Sequence, residues 1–169
     1  NDTYVAIGQL GADGNDVIDG GKGIDTYDAS ATITQVFVNL DKVSHDLTAV
    51  GTPGGDPVAA NTATGTNVSG SAYDRITNFE NAKGGNSNDT IYGSAAANVF
   101  EGNDGNDYLF GFGGNDRLFA GAGSDFLVGG LGADFLDGGA ADGLADWYIY
   151  QTTKDSGVAK NSRDTIANF

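Results

Sequence analysis

Asp89, Asp107, Asp116, Asp125 and Asp134 each stand sixth in a nine-residue unit with an apolar residue in eighth place. The units are GGNSNDTIY (84–92), GSAAANVFE (93–101), GNDGNDYLF (102–110), GFGGNDRLF (111–119), AGAGSDFLV (120–128) and GGLGADFLD (129–137), with Asn98 sixth in the second of them. Upstream, GADGNDVID (11–19) and GGKGIDTYD (20–28) add Asp16 and Asp25. Short carboxylates at a fixed interval among glycines suit the all-oxygen ligation of a hard cation. The choice of acid agrees. Of 23 acidic residues only Glu80 and Glu101 are Glu, whereas a solvated acidic surface mixes the two. Paired carboxylates also hydrolyse glycosides, but periodic ligation explains these aspartates better. The single histidine, His45, lies beside Asp46 in a low-complexity stretch and reads as a hydrated loop residue. Glycine strings such as 111–114 lack the lysine and helix of a phosphate loop. No catalytic residue is expected in this chain.

The glycine-rich first six residues of each unit must turn sharply, and glycine takes positive φ without steric cost. The last three form a short strand whose side chains alternate. The eighth residue then points inward, as Ile91, Phe100, Leu109, Leu118, Leu127 and Leu136 do, and the seventh and ninth point outward. Successive strands alternate between two sheets, so one coil takes about 18 residues and parallel connections are right-handed. Asp89, Asp107 and Asp125 stack on one side; Asn98, Asp116 and Asp134 stack on the other. Each gap between stacked turns receives carboxylates and main-chain carbonyls. Good sites are expected between 89 and 107, 107 and 125, and 116 and 134. The 98/116 gap is expected to be weak, because Asn98 is uncharged and Ser94 and Ala96 replace its glycines. One apolar side chain per nine ordered residues offsets little of the conformational entropy, so the cation-free chain is expected to be largely unfolded.

The pattern GGxGxDxUx, carried by about half of the chain, resembles the RTX calcium-binding nonapeptide repeats, and in particular the C-terminal β-roll of serralysin-like proteins. The resemblance implies an all-β, right-handed parallel β-roll with an irregular insert and C-terminal capping strands. It implies Ca2+ as cofactor, about three to five ions. Carbonyls at positions two and four then join the aspartates, at Gly14, Gly21, Gly23, Gly85, Gly105, Gly114, Gly121, Gly123, Gly130 and Gly132. It further implies a secreted, extracellular bacterial protein exported by the type I route, folding when calcium is met outside the cell. The parent would be a protease, lipase, epimerase or adhesin; the metzincin signature of serralysins is absent here.

Four segments are expected: repeats at 1–28, an irregular β-rich insert at 29–83, the main repeats at 84–137 and a capping segment at 138–169. Residues 35–41 have strand composition with Val36, Val38 and Leu40 on one face, and 51–57 read as a turn or loop. An insert that projected outward would let Asp25 stack on Asp89. After Asp134 the register slips, since Asp146 follows by twelve residues; 147–150 and 164–169 read as capping strands. Outward positions hold Tyr108, Phe110, Phe126 and Val128 on one sheet and Arg117, Phe119, Phe135 and Asp137 on the other. They are covered by the insert or the C-terminal strands, or they form an interface for an upstream domain or partner. Two alternative functions follow from them: a polysaccharide- or surface-binding module, or an adhesin or surface-layer unit. A net charge of -15 with eight Lys and Arg argues against nucleic acid. There is no cysteine, and no apolar run long enough to span a membrane is expected. The chain opens mid-motif at Asn1-Asp2-Thr3-Tyr4 and reads as part of a longer protein.

Overall fold

The computed structural model describes residues 1–6, 17–32, 35–40, 62–65, 74–139, 142–157 and 163–168. Among these there are only strands, and they form two sheets. In the first sheet β1 (Thr3–Val5), β3 (Thr26–Asp28), β7 (Asn81–Lys83), β9 (Val99–Asp104), β11 (Arg117–Ala122), β13 (Phe135–Asp137) and β15 (Thr165–Ala167) follow one another. The second sheet runs β14 (Trp147–Tyr148), β12 (Phe126–Val128), β10 (Tyr108–Phe112), β8 (Thr90–Ser94), β4 (Val36–Asn39), β5 (Thr62–Gly65), β6 (Asp74–Thr77) and β2 (Val17–Asp19).

From β8 to β13 the chain alternates between the sheets, with parallel neighbours. Tyr108 pairs with Phe126 and Arg117 with Phe135, one eighteen-residue coil on. This is the parallel β-roll, and the eighth residues make its core. Ile91, Leu109 and Leu127 from one sheet meet Phe100, Leu118 and Leu136 from the other, all without solvent exposure. Burying each such side chain stabilises the fold by about 1.5–3 kcal/mol. Val36, Val38 and Leu40 join the same core.

The described parts of 29–83 do not stand apart from the roll. Strands β4, β5 and β6 all lie in the second sheet, with antiparallel steps from β4 to β5 and from β5 to β6. Two reversals restore the original direction, so β6 runs parallel to β2 and β4 parallel to β8. The first sheet passes from β3 to β7 to β9 without extra strands. This overturns the stacking of Asp25 on Asp89. Asp25 precedes β3, whose neighbour is β7, whereas Asp89 precedes β8, whose neighbours are β4 and β10 in the opposite sheet. The loop at 51–57 and His45 with Asp46 lie outside the described residues.

The C-terminal strands extend the sheets as a last coil and do not lie over either face. Strand β14 pairs with β12 and β15 with β13. The Tyr148 hydroxyl donates to the carbonyls of Ala167 (3.0 Å) and Asn168 (3.1 Å), tying the two strands together. On the outer face of the second sheet Tyr108, Phe126 and Trp147 form a stacked row, with centroids 5.2 and 5.7 Å apart and planes within 23°. Tyr92, Phe110 and Phe112 form another. These rings turn their faces to one another along the rows, and Trp147, at the end of the first, is exposed. On the first sheet the Arg117 guanidinium lies over Phe119 and Phe135.

Candidate metal centre

The turns before the strands build two columns of acidic residues, one of them interrupted by the neutral Asn98. Before the second sheet stand Asp89, Asp107, Asp125 and Asp146; before the first stand Asp2, Asp25, Glu80, Asn98, Asp116, Asp134 and Asp164. One hydrogen bond recurs along both. The main-chain N–H at the acidic position donates to the side-chain carboxylate of the next coil: Asp89 to Asp107 and Asp107 to Asp125 at 2.7 Å, Asn98 to Asp116 at 2.8 Å, and Asp116 to Asp134 at 2.9 Å. Beyond the repeats the link continues, from Asp125 to Asp146 (3.1 Å) and from Asp134 to Asp164 (2.9 Å).

That bond uses Oδ1. The second oxygen, Oδ2, of Asp107, Asp116, Asp125 and Asp134 is buried and has no hydrogen-bond donor, and the same holds for Asp25. Another acceptor lies close by. The carbonyl of Ala120, one coil on, shares with Asp107 Oδ2 the space where a side chain at Gly102 would begin, and the carbonyl of Gly129 shares that at Gly111 with Asp116 Oδ2. Position-four carbonyls enter the gaps as well: those of Gly105 and Gly114 abut Gly123 (φ +146°) and Gly132 (φ +155°) of the following coil. Carboxylate and carbonyl oxygens converging without a donor leave buried charge uncompensated. An oxygen-seeking divalent cation completes such a set, so the residues fit the Ca2+ that the repeat pattern implies. Among the described residues no three acidic or imidazole side chains converge on one point. The donor sets are carboxylate pairs with main-chain carbonyls.

Burial drives these carboxyls toward their neutral form. Asp107 is pushed up to about 8 by desolvation, helped by the charges of Asp89, Asp125 and Asp104. Desolvation likewise raises Asp89 and Asp116 to about 7 and Asp125 and Asp134 to about 6. Without a positive counterpart, ionising them opposes folding.

Two positions differ. Asp89 accepts N–H groups on both oxygens, from Val36 (2.6 Å) and Gly85 (2.5 Å). Asn98 accepts from Ser94 (2.8 Å), and its Nδ2 donates to the carbonyl of Glu80 (2.5 Å). The protein itself satisfies this first coil of the main block.

The predicted donors therefore fall into groups. Asp107, Asp116, Asp125 and Asp134 have the open oxygen; the carbonyls of Gly105, Gly114 and Gly121 reach the following coil, at Gly123, Gly132 and Gly139, and Gly130 meets the carbonyl of Phe112 from the preceding one. Gly85 abuts Thr32, which belongs to no repeat; Gly23 abuts Asn1; Gly21 has open space beside it. Asp16 and Gly14 lie outside the described residues. The nonapeptide pattern missed Asp2, Glu80, Asp146 and Asp164. For three of them a shorter signal exists: an aspartate two residues before the apolar residue in line with the core row, as in Asp2-Thr3-Tyr4, Asp146-Trp147-Tyr148 and Asp164-Thr165-Ile166, the last exposed beside Leu136.

The family model described as RTX calcium-binding nonapeptide repeat (4 copies) matches residues 10–27, 83–116 and 110–144. No curated protein matches the chain. The matched segments contain the turns whose carboxylates and carbonyls converge, and these segments carry RTX calcium-binding nonapeptide repeats.

Proposed function

We propose that this chain is a calcium-completed folding module that stabilises a type I-secreted extracellular protein, with no catalytic role of its own. The observation that carries the reading is the row of buried, donorless Oδ2 atoms at Asp107, Asp116, Asp125 and Asp134. Bound calcium supplies the positive charge these oxygens lack. Asp107 and Asp125 form one donor pair and Asp116 and Asp134 another; Asp146 and Asp164 extend the two columns by one coil. The match to the RTX calcium-binding repeat supports calcium as the ion, and the export route typical of proteins with such repeats supports a site of action outside the cell. A fluorescence titration on Trp147, set at the end of its stacked row, tests the ion. Calcium is expected to change the emission at concentrations where magnesium does nothing, because magnesium sheds its waters reluctantly. An equal response to magnesium would contradict the reading.

The raised carboxyl pKa values give this dependence a sign. An acid whose folded pKa lies above its unfolded value favours the protonated fold. The calcium-free roll keeps that contribution below about pH 4, and loses it as pH rises through the range of about 6 to 8 spanned by Asp134 and Asp107. Calcium binding must expel those protons, so the calcium midpoint is expected to fall steadily from pH 5.5 to pH 8, with proton release in weakly buffered solution. A midpoint independent of pH would contradict this.

Asn98→Asp tests the self-satisfied coil. The substitution replaces the donor to the Glu80 carbonyl with an acceptor. At a calcium concentration just sufficient to fold the parent, the variant is expected to be less stable, by about 1–3 kcal/mol for a lost buried donor, and to recover in saturating calcium. Equal stability at the limiting concentration would show that the Asn98 amide contributes nothing there.

A further inference from the structure

We propose that Asp25 and Glu80 hold a divalent cation between them, joining the strands before the 29–79 excursion to the main array. The inference rests on the calcium reading above and adds a site whose second acid lies outside the nonapeptide pattern. Asp25 is wholly buried. Its Oδ1 accepts the N–H of Asp2 (2.5 Å) from the preceding coil, and its Oδ2 has no donor. The Asp25 N–H donates to Glu80 Oε2 at 2.8 Å, the link that joins Asp107 to Asp125 within the repeats. Glu80 thus takes the place of the next coil's aspartate with one methylene more, and the strands that follow are in register, Thr26 beside Asn81.

The turn ahead of Glu80 has no glycine, yet it repeats the carbonyl geometry. Asn78 adopts φ +57°, and its carbonyl faces Gly20, the first residue of the Asp25 unit, where any side chain would overlap it. The carbonyls of Ala120 and Gly129 face Gly102 and Gly111 in the same way, with the aspartate Oδ2 beside them there and the Asp25 Cβ nearest at Gly20. The Gly20 N–H to Thr77 carbonyl bond (2.9 Å) and the Asn78 amide to Asp19 bond (2.7 Å) hold this turn in place. Asp25 Oδ2, the Asn78 carbonyl and the Glu80 carboxylate are the donors. Of the nearby positive charges, Lys83 pairs with Glu101, and the amino group of Asn1 pairs loosely with Asp25 through Oδ1 at 3.9 Å, which leaves Oδ2 without a partner.

Equilibrium dialysis with calcium counts ions on the intact chain and on Glu80→Gln, Asp25→Asn and Asp107→Asn, with limited proteolysis reporting protection of residues 1–28. Glu80→Gln and Asp25→Asn are each expected to bind one ion fewer. Each is also expected to need about tenfold more calcium to protect 1–28, the equivalent of about 1.4 kcal/mol, while circular dichroism of the main array is kept. Parent counts and parent protection in both variants, with Asp107→Asn still losing ions, would overturn the seam site alone. No calcium bound by the parent chain would overturn the broader reading with it.

Discussion

Asp107→Ala is expected to raise the calcium midpoint of folding more than tenfold, whereas Asp104→Ala, three residues away, leaves it nearly unchanged. Asp107 has no exposure; its Oδ1 receives the Asp89 N–H, and its Oδ2 faces the Ala120 carbonyl across the gap to Asp125. Truncation removes one charged donor from the gap and one link from the column. A site filled at 100 times its dissociation constant contributes about 2.7 kcal/mol, so losing one is a large fraction of the stability of a small domain. Asp104 is exposed and out of ligand register, where substitutions stay within about 0.5 kcal/mol. The comparison also has a sign that ordinary packing does not give. In chelator at pH 8 the ionised Asp107 opposes folding, because burial has pushed it up to about 8. The alanine variant is then expected to retain at least as much structure as the parent. Calcium titrations followed by circular dichroism check both halves; equal midpoint shifts for the two variants would contradict the ligand assignment.

Gly123→Val is expected to prevent the array from closing even in saturating calcium, while Gly113→Ala is tolerated. Gly123 has φ +146°, where a β-branched side chain is strained, and the Gly105 carbonyl occupies the position of its missing Cβ. Neither atom can yield, since both are main chain in stacked turns. The combined strain and loss of a carbonyl from the gap should cost about 3 kcal/mol or more. Gly113 is the contrast: its Cβ would meet Ala95 at 3.8 Å and the Leu131 carbonyl at 3.9 Å, ordinary contacts. Thermal melts in excess calcium separate the two. A Gly123→Val melt matching the parent would mean that the coils are not held as closely as the carbonyl contacts require.

The roll was legible because its two periods coincide. One inward apolar residue in nine defines the strand, and one aspartate in nine defines the turn, so Leu109, Leu118 and Leu127 located the core as directly as Asp107, Asp116 and Asp125 located the columns. The excursion was not legible for a physical reason. An antiparallel pair such as β4 and β5 leaves no nine-residue trace, and two reversals return the chain to a parallel course without any marker in composition. The consequence was the mistaken pairing of Asp25 with Asp89, where the structure sets Glu80 beside Asp25. At the other end, the apparent slip at Asp146 is a longer turn. Its strand keeps register, with Phe126 beside Trp147. A turn can lengthen without disturbing the ladder, because only its last residue before the strand must return to the column.

Far-UV circular dichroism of the purified chain in excess chelator, followed by added calcium, addresses most directly whether these turns can stand without an ion. A coil-like spectrum that becomes β-rich on calcium, and not on magnesium, is the predicted result. A full β spectrum in chelator at neutral pH, unchanged by calcium, would mean that the buried Oδ2 atoms of Asp107, Asp116, Asp125 and Asp134 are compensated some other way.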